Sequence, residues 1–326
     1  MTRRAFDKPR PRKREAKARA ALLFSVLAGL IVSLAGLPAG AQESAGRLKV
    51  VATFSILGDL ARNVGGDRAD VVTLVGPNSD IHVYTPTAAD AQSVRSARLL
   101  IVNGLGLEGW LPRLIESSGS KASVVVASNG VAPRKIDAGE ILSRHHEPGS
   151  LDPHAWQSVA NVAIYVTNIR DAMAAADPSN ATIYKANADA YLAILKRLDQ
   201  DIQGAVAQIP PVRRKVISTH AAFGYFAAAY GITFLAPQGV STDSEPSARD
   251  IAGLITQIKS EKIPAVFLEN ISDPRLIRQI ASESGAAMGG TLYSDSLTDA
   301  DGEAPTYIEL MEHNIKTIVS ALANRS

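Results

Sequence analysis

The stretch that decides the fold is PSNATIYKANADAYLAILKRLDQDIQGAVAQI, residues 178–209. It has no proline after Pro178 and a single glycine, Gly204. Apolar residues recur three or four positions apart, the period of one helical face: Ile183, Ala186, Ala190, Ile194, Leu198, Ile202 and Val206. Pro178 is tolerated in a first helical turn, Asp177 before it is a candidate cap, and Pro210 follows the stretch. The pattern predicts one uninterrupted helix over residues 178–209.

A helix of this size would be about 48 Å long at ~1.5 Å per residue, more than the ~30 Å diameter of a small domain. Both flanks alternate short β-branched runs with helical segments, which is typical of parallel sheets covered by helices. We therefore predict an α/β protein with two lobes, residues 42–177 and 210–326, each with a parallel sheet flanked by helices. One long, rigid helix over residues 178–209 joins them.

Residues 1–41 are predicted to be a signal peptide. They hold nine basic and two acidic residues, which leaves 25 basic and 30 acidic residues and a net charge of −5 in the remainder. An uncharged apolar run over residues 20–37 precedes Pro38-Ala39-Gly40-Ala41, whose small residues fit a signal-peptidase site. We expect export and cleavage after Ala41. The acidic remainder does not indicate nucleic-acid binding.

The leader allows two alternatives. An uncleaved membrane anchor needs about 20 apolar residues, and the apolar run comes close to that length. Arg3-Arg4 resembles a twin-arginine signal, but about fifteen residues separate the pair from the apolar run, so Sec export fits at least as well. Because the chain has no cysteine, it has neither a lipid-anchored cysteine nor disulfides. The cleaved product is expected to be soluble in the periplasm.

Four side chains with metal-binding chemistry lie at predicted strand ends or loop edges. His82 and His154 precede the long helix, and His220 and Asp295 follow it. Sites in α/β proteins form at the carboxyl ends of the strands. The four side chains could therefore meet in the cleft as three nitrogen donors and one oxygen donor, a set that suits zinc or manganese. Taken alone, each histidine is more typical of a surface or structural position, and the aspartate of a turn or a helix cap.

The sequence resembles the zinc/manganese solute-binding proteins of bacterial ABC transporters, the cluster A-I family, over residues 47–324. These motifs carry the resemblance: Asp80-Ile81-His82 with Tyr84 and Pro86, Asn103–Trp110, Asp152-Pro153-His154-Ala155-Trp156, His220–Phe226, Glu269-Asn270 and Tyr293-Ser294-Asp295-Ser296-Leu297. The resemblance implies two lobes bridged by one long helix. It also implies that His82, His154, His220 and Asp295 bind a metal ion, which the protein delivers to an inner-membrane ABC permease for import.

The resemblance favours one metal ion but leaves alternatives open. Members resembling manganese carriers usually have Glu where this chain has His220, so the histidine favours Zn2+, with Mn2+ or iron as the alternative. Zinc relatives often carry a long His-rich loop before the second ligand, of which His145-His146-Glu147 remains here. We expect metal binding to weaken as pH falls, because protons compete for the imidazoles.

Three further features have two interpretations each. His145 and His146 form either a rudimentary accessory site or part of a solvated loop. Residues 239–245 form either a gate over the cleft or a flexible surface turn. His313, in the predicted last helix, is expected to pack or face solvent and not to bind the metal.

Other protein classes fit the motifs less well. A catalytic zinc usually has three protein ligands and an open water position, and the chain has neither His-Glu-x-x-His nor Gly-x-Ser-x-Gly. A zinc-dependent hydrolase is therefore a remote alternative, and we expect no enzyme. An adhesin or scaffold would not need the four ligands. The expected protein is a monomer that meets a permease, with a periplasmic metal chaperone as a further candidate partner.

Overall fold

Two parallel sheets with the same strand order lie on either side of the long helix in the chain. The structure, a computed structural model, describes residues 46–136 and 151–323. The predicted signal peptide, residues 1–41, and the pair His145-His146 lie outside these residues. Within the described part, no helix combines the length and the apolar character that crossing a membrane requires.

The first sheet has the order β2-β1-β3-β4 and the second the order β6-β5-β7-β8, with every neighbouring pair parallel. The strands are β1 (Leu48–Phe54), β2 (Ala69–Val75), β3 (Leu99–Val102), β4 (Ser123–Val126), β5 (Lys215–Ile217), β6 (Thr233–Leu235), β7 (Ala265–Glu269) and β8 (Ala287–Leu292). The second sheet thus repeats the plan of the first.

Helices flank both sheets, which confirms the predicted α/β class. They are α1 (Ser55–Gly65), α2 (Ala88–Ser96), α3 (Leu111–Ser118), α4 (Val159–Ala176), α5 (Ala181–Ala207), α6 (Gly224–Tyr230), α7 (Ala248–Glu261), α8 (Pro274–Ser284) and α9 (Tyr307–Ala323). Capping boxes start two of them, with Thr87 paired to Asp90 before α2 and Ser247 paired to Asp250 before α7.

The predicted long helix begins later than the sequence suggests. Pro178–Asn180 form a 3-10 turn, and α5 follows over Ala181–Ala207. Asp177 accepts hydrogen bonds from Ser179, Asn180 and Tyr184 side chains, so it organises this turn. The expectation of one uninterrupted helix from Pro178 is therefore wrong for the first turn, which is 3-10 and not α-helical.

The predicted buried face of this helix is right in its second half and wrong in its first. The buried residues are Tyr184, Ala188, Tyr191, Leu195, Leu198, Ile202 and Val206. Ile194, predicted to be buried, is 47% exposed. The rings of Tyr184 and Tyr191 bury far more apolar surface than Ala186 and Ala190 would. They therefore determine which face the first turns of α5 direct towards the core.

Strand β8 is not evident from the sequence pattern. It contains Gly289-Gly290, and glycine weakens a strand interior. Here the glycine allows a close approach, since a side chain at Gly289 would collide with the ring of Phe267 on β7. Glycine therefore permits the pairing that places the last strand, and Asp295 after it, beside the rest of the sheet.

One apolar core runs through both lobes. It includes Ile101 and Trp156 from the first lobe, Tyr191 from α5, and Phe226 and Tyr307 from the second half of the chain. Helix α5 packs against α1, α4 and α9 inside this core. Two smaller clusters cover the outer faces, between the first sheet and α2 and α3, and between the second sheet and α7 and α8. Helices thus cover both faces of each sheet, as is usual for parallel sheets, but the edge strand β4 stays largely exposed.

A buried carboxylate joins the first and last helices. Asp59 on α1 accepts the N–H of Tyr307, the first residue of α9, over 3.0 Å, and lies 3.2 Å from the side-chain amide of Asn63. Burial raises the pKa of Asp59 to about 6, although these hydrogen bonds and Arg62 oppose the shift. A group whose pKa is raised on folding stabilises the fold below its unfolded pKa, and that contribution is lost as pH rises through about 6.

We predict that Asp59→Asn flattens this pH dependence. Between pH 4 and pH 7, the wild type should lose about 2 kcal/mol more unfolding free energy than the variant, from ~1.4 kcal/mol per pKa unit. Urea denaturation at four pH values measures the difference, with the exposed Asp67→Asn as the control. Parallel stability curves for wild type and Asp59→Asn would contradict the assignment.

Candidate metal-binding site

Four loops bring His82, His154, His220 and Asp295 together. His82 lies in the loop after β2, His220 in the loop after β5, and Asp295 follows β8. His154 lies directly before the 3-10 turn Ala155–Gln157 that leads into α4. One potential ligand atom from each side chain lies within 4.8 Å of those of the other three. A single ion can therefore reach all four, and that they bind one remains a prediction.

Asp295 lies at the centre of the group. Its Oδ2 is 3.1 Å from Nε2 of His82 and 3.1 Å from Nε2 of His220, and its Oδ1 is 3.7 Å from Nε2 of His154. The centroids of the three imidazole rings are 5.2 to 5.6 Å apart. All three histidines thus turn the same nitrogen, Nε2, towards one carboxylate.

The four side chains differ in access to solvent. His154 and His220 are completely buried and Asp295 is 1% exposed. The side chain of His82 is 5% exposed and borders a surface groove of about 810 Å³. Of the four, His82 is therefore the side chain nearest to bulk water.

A carboxylate and an arginine hold His154 from behind. Asp152 Oδ1 accepts the backbone N–H of His154 at 2.9 Å and lies 2.9 Å from its Nδ1. Asp152 Oδ2 accepts a hydrogen bond from Arg134 over 3.1 Å. A side chain at Gly224 would collide with this pair, so glycine is required there. A carboxylate on Nδ1 leaves Nε2 free to bind a cation.

Glu269 contacts Nδ1 of His220 as Asp152 contacts Nδ1 of His154. Its Oε2 lies 2.5 Å from Nδ1 of His220, and both side chains are inaccessible to solvent. Its Oε1 accepts the backbone N–H groups of Thr219 and His220 at 2.7 and 3.0 Å. The carboxylate at the end of β7 therefore fixes both the loop and the ring that it carries.

The charges within the group shift two pKa values in opposite directions. Burial alone would lower the pKa of His220, but the carboxylates of Glu269 and Asp295 raise it well above its ordinary value. Burial alone would raise the pKa of Asp295, but His220 and His154 lower it well below its usual range. Without a cation, the buried carboxylates draw a proton onto His220, which an arriving ion has to displace.

A buried amide supports the loop that carries His154. Asn103 is completely buried, and its Nδ2 donates to the carbonyl of Pro153 over 2.9 Å. Its Oδ1 accepts the hydroxyl of Tyr165 over 2.6 Å, and its backbone N–H donates to Glu108. Burial raises the pKa of Glu108, a carboxylate that also accepts a hydrogen bond from Thr53. These bonds fix the peptide that precedes His154.

The donor set fits a divalent transition metal. Three imidazole nitrogens and one carboxylate oxygen converge, which matches the four-coordinate sites that zinc prefers. Among the described residues, Oδ1 of Asp295 is buried without a hydrogen-bond partner, and Nε2 of His220 lies 3.1 Å from Oδ2 of Asp295 without the geometry of a hydrogen bond. Buried polar atoms without partners are costly, and a bound cation would satisfy both.

The sequence motifs contain some of the supporting residues without indicating their roles. Asp152 belongs to the motif that contains His154, and Glu269 to the Glu269-Asn270 motif. The spacing of these residues does not indicate that either contacts Nδ1 of a histidine. Arg134 gives no signal, because it lies in an irregular segment far from any motif. His313 lies 3.0 Å from the carbonyl of Thr291 and belongs to no potential metal group among the described residues.

Known proteins resemble this chain over most of its length. A family model described as zinc-uptake complex component A, periplasmic, matches residues 50–321. The iron-binding protein YfeA of Yersinia pestis is 35% identical over 302 residues, 92% of this chain and 95% of YfeA.

Two solved structures share the fold. The periplasmic zinc-binding protein TroA of Treponema pallidum has a TM-score of 0.78 and 31% identity, over 86% of this chain and 100% of TroA. A manganese-bound periplasmic metal-binding protein of Candidatus Liberibacter asiaticus has a TM-score of 0.73 and 32% identity, over 83% of this chain and 98% of its own. These relatives are named for three different metals.

We predict that Glu269→Gln weakens metal binding about 10- to 100-fold, the usual effect of changing an outer partner of a ligand. Gln retains the oxygen that accepts the two backbone N–H groups. Its amide donates to Nδ1 of His220, which moves the ring proton to Nε2, the atom that faces the site. Competition with a chelator measures the affinity, and the exposed Glu261→Gln is the control. An affinity within about twofold of wild type would contradict this role.

Proposed function

Since this chain belongs to the family of periplasmic zinc-uptake complex component A proteins, we propose that it captures Zn2+ between its lobes and delivers the ion to an ABC permease for import. The ligands in this proposal are His82, His154, His220 and Asp295. The observation that carries it is the convergence of three Nε2 atoms on one buried carboxylate, with the potential ligand atoms within 4.8 Å of one another.

Zinc is favoured over manganese by the ligand types. Imidazole nitrogen is a good ligand for zinc, whereas manganese prefers carboxylates, carbonyls and water. A site with three nitrogens and one carboxylate oxygen is closer to the first preference. Manganese or iron is the alternative, and it is supported by the names of YfeA and of the manganese-bound relative.

The protein acts by binding rather than by catalysis in this proposal. A catalytic zinc needs an open position for water beside three protein ligands, and four protein ligands close the coordination shell. The named relatives are likewise binding proteins. Hydrolysis by the zinc-loaded protein is not expected.

The mature protein starts after Ala41 and works in the periplasm as a monomer in this proposal. Residues 42–177 and 210–326 form its lobes, and the segment 178–209 connects them. The chain has no cysteine, so it would not carry the lipid anchor that a lipoprotein needs. Its partner is the permease of a metal importer, and a periplasmic metal chaperone is a further candidate.

A competition titration tests the choice of metal. Purified protein without residues 1–41 is expected to bind Zn2+ at least roughly tenfold more tightly than Mn2+ or Fe2+, about 1.4 kcal/mol or more. The measurement uses one chelating indicator for all three ions under anaerobic conditions. Tighter binding of Mn2+ would overturn the argument from His220 and leave the manganese alternative.

Removal of one ligand tests the site itself. His154→Ala should weaken Zn2+ binding by more than roughly 100-fold, because loss of an outer partner alone costs about 10- to 100-fold. His313→Ala is the matched control, and its affinity should stay within about twofold of wild type. Equal affinities for the two variants would show that the ion binds elsewhere. Isothermal titration calorimetry supplies both values.

A further inference from the structure

A loop of the second lobe touches the first lobe beside the candidate site. This loop, residues 239–246, lies between β6 and the N-cap of α7, and we name it the latch loop. The hydroxyl of Thr242 donates to Oδ2 of Asp80 over 2.5 Å. Among the described residues, this is the one hydrogen bond that joins the latch loop to the first lobe.

Asp80 connects the latch loop to a candidate ligand. Its second oxygen, Oδ1, accepts the backbone N–H of His82 at 2.8 Å. One carboxylate thus bridges the hydroxyl of Thr242 and the backbone of His82. Hydrogen bonds to a carboxylate are stronger than those between neutral groups, so the position of the His82 loop depends on the latch loop.

The latch loop also forms a wall of the opening that leads to His82. Val240, Ser241 and Asp243 line the groove of about 810 Å³ that borders this histidine. Thr242 and Asp80 both line a second cavity of about 460 Å³. The bond between Thr242 and Asp80 therefore lies between two openings, on the side where the site is nearest to solvent.

We propose that Thr242 is a positioning residue that closes the site over His82 and limits the rate at which the metal leaves. The inference rests on the proposed function, because it assumes an ion held by His82, His154, His220 and Asp295. With the bond made, the latch loop stays against the first lobe and keeps the route past His82 narrow. With the bond broken, the latch loop leaves Asp80 and the groove widens beside the most accessible ligand.

The test compares two substitutions of Thr242 in the zinc-loaded protein. Thr242→Val keeps the shape and removes the hydroxyl, and it should raise the rate of zinc loss about tenfold, as expected for one hydrogen bond to a charged group. Thr242→Ser keeps the hydroxyl and should stay within about twofold of wild type. Thr256→Val, which removes a hydroxyl bonded within α7, is the matched control.

The rate is measured by stopped-flow mixing with an excess of a chromophoric chelator. The absorption spectrum of the Co2+-loaded protein should be the same in wild type and Thr242→Val, because the ligands themselves are unchanged. In an Asp80→Ala background, adding Thr242→Val should change the rate no further, since the partner is already gone.

Failure of the inference differs from failure of the proposed function. If wild type binds Zn2+ no better than His154→Ala, the proposed function is wrong. If wild type binds Zn2+ tightly but Thr242→Val releases zinc at the wild-type rate, Thr242 does not limit the release of the metal. This conclusion holds whatever the melting temperature of the variant is. Equal acceleration in Thr242→Val and Thr242→Ser also overturns it, because the hydroxyl then plays no part.

Discussion

A single carboxylate that cannot reach water organises the centre of this protein. Asp295 lies within 3.7 Å of Nε2 of His82, His154 and His220 and is 1% exposed. A buried carboxylate is stable only when cations or donors compensate its charge. Imidazoles on three different segments turn Nε2 towards that charge, and this nitrogen can either donate a hydrogen bond or bind a metal ion. The same arrangement that makes the buried charge tolerable therefore also makes the site competent to bind a cation.

The segment around Asp295 is tied to the first lobe although it follows a strand of the second. The carbonyl of Ser294 accepts hydrogen bonds from the side chains of Trp156 and Gln157 at 2.8 and 2.7 Å. Leu297 accepts the N–H of Asn78 at 2.8 Å. A core shared by both lobes surrounds these contacts. Moving the lobes apart would break these bonds and expose that core, so a change in the loops at the rim is the less costly way to admit or release an ion.

Local patterns in the sequence predicted much of the fold and the four candidate ligands, but not what depends on distant contacts. The apolar runs of β3 and β4, and the Thr87 and Asp90 spacing of a capping box, can be recognised within short segments, because propensity and capping are local. The rotation of α5 was wrong at Ile194, since tertiary packing of tyrosine rings chose the buried face. Strand β8 was missed because the collision that requires Gly289 involves another strand. The contacts of Asp152 and Glu269 with the histidine rings could not be predicted from the sequence either, because they also depend on tertiary packing.

The carboxylates behind His154 and His220 also contribute to the net charge of the candidate site. Asp152, behind His154, forms an ion pair with Arg134, which offsets its negative charge. Glu269, behind His220, is buried and has no basic side chain among the described hydrogen bonds and ion pairs apart from that histidine. Together with Asp295 it places two negative charges at the site when the three imidazoles are neutral, which balances a divalent cation. A carboxylate in direct contact at position 220 is thus unnecessary for charge balance. In the proposed function, the choice between zinc and manganese then depends on the preference of each ion for nitrogen or oxygen, because the total charge suits both.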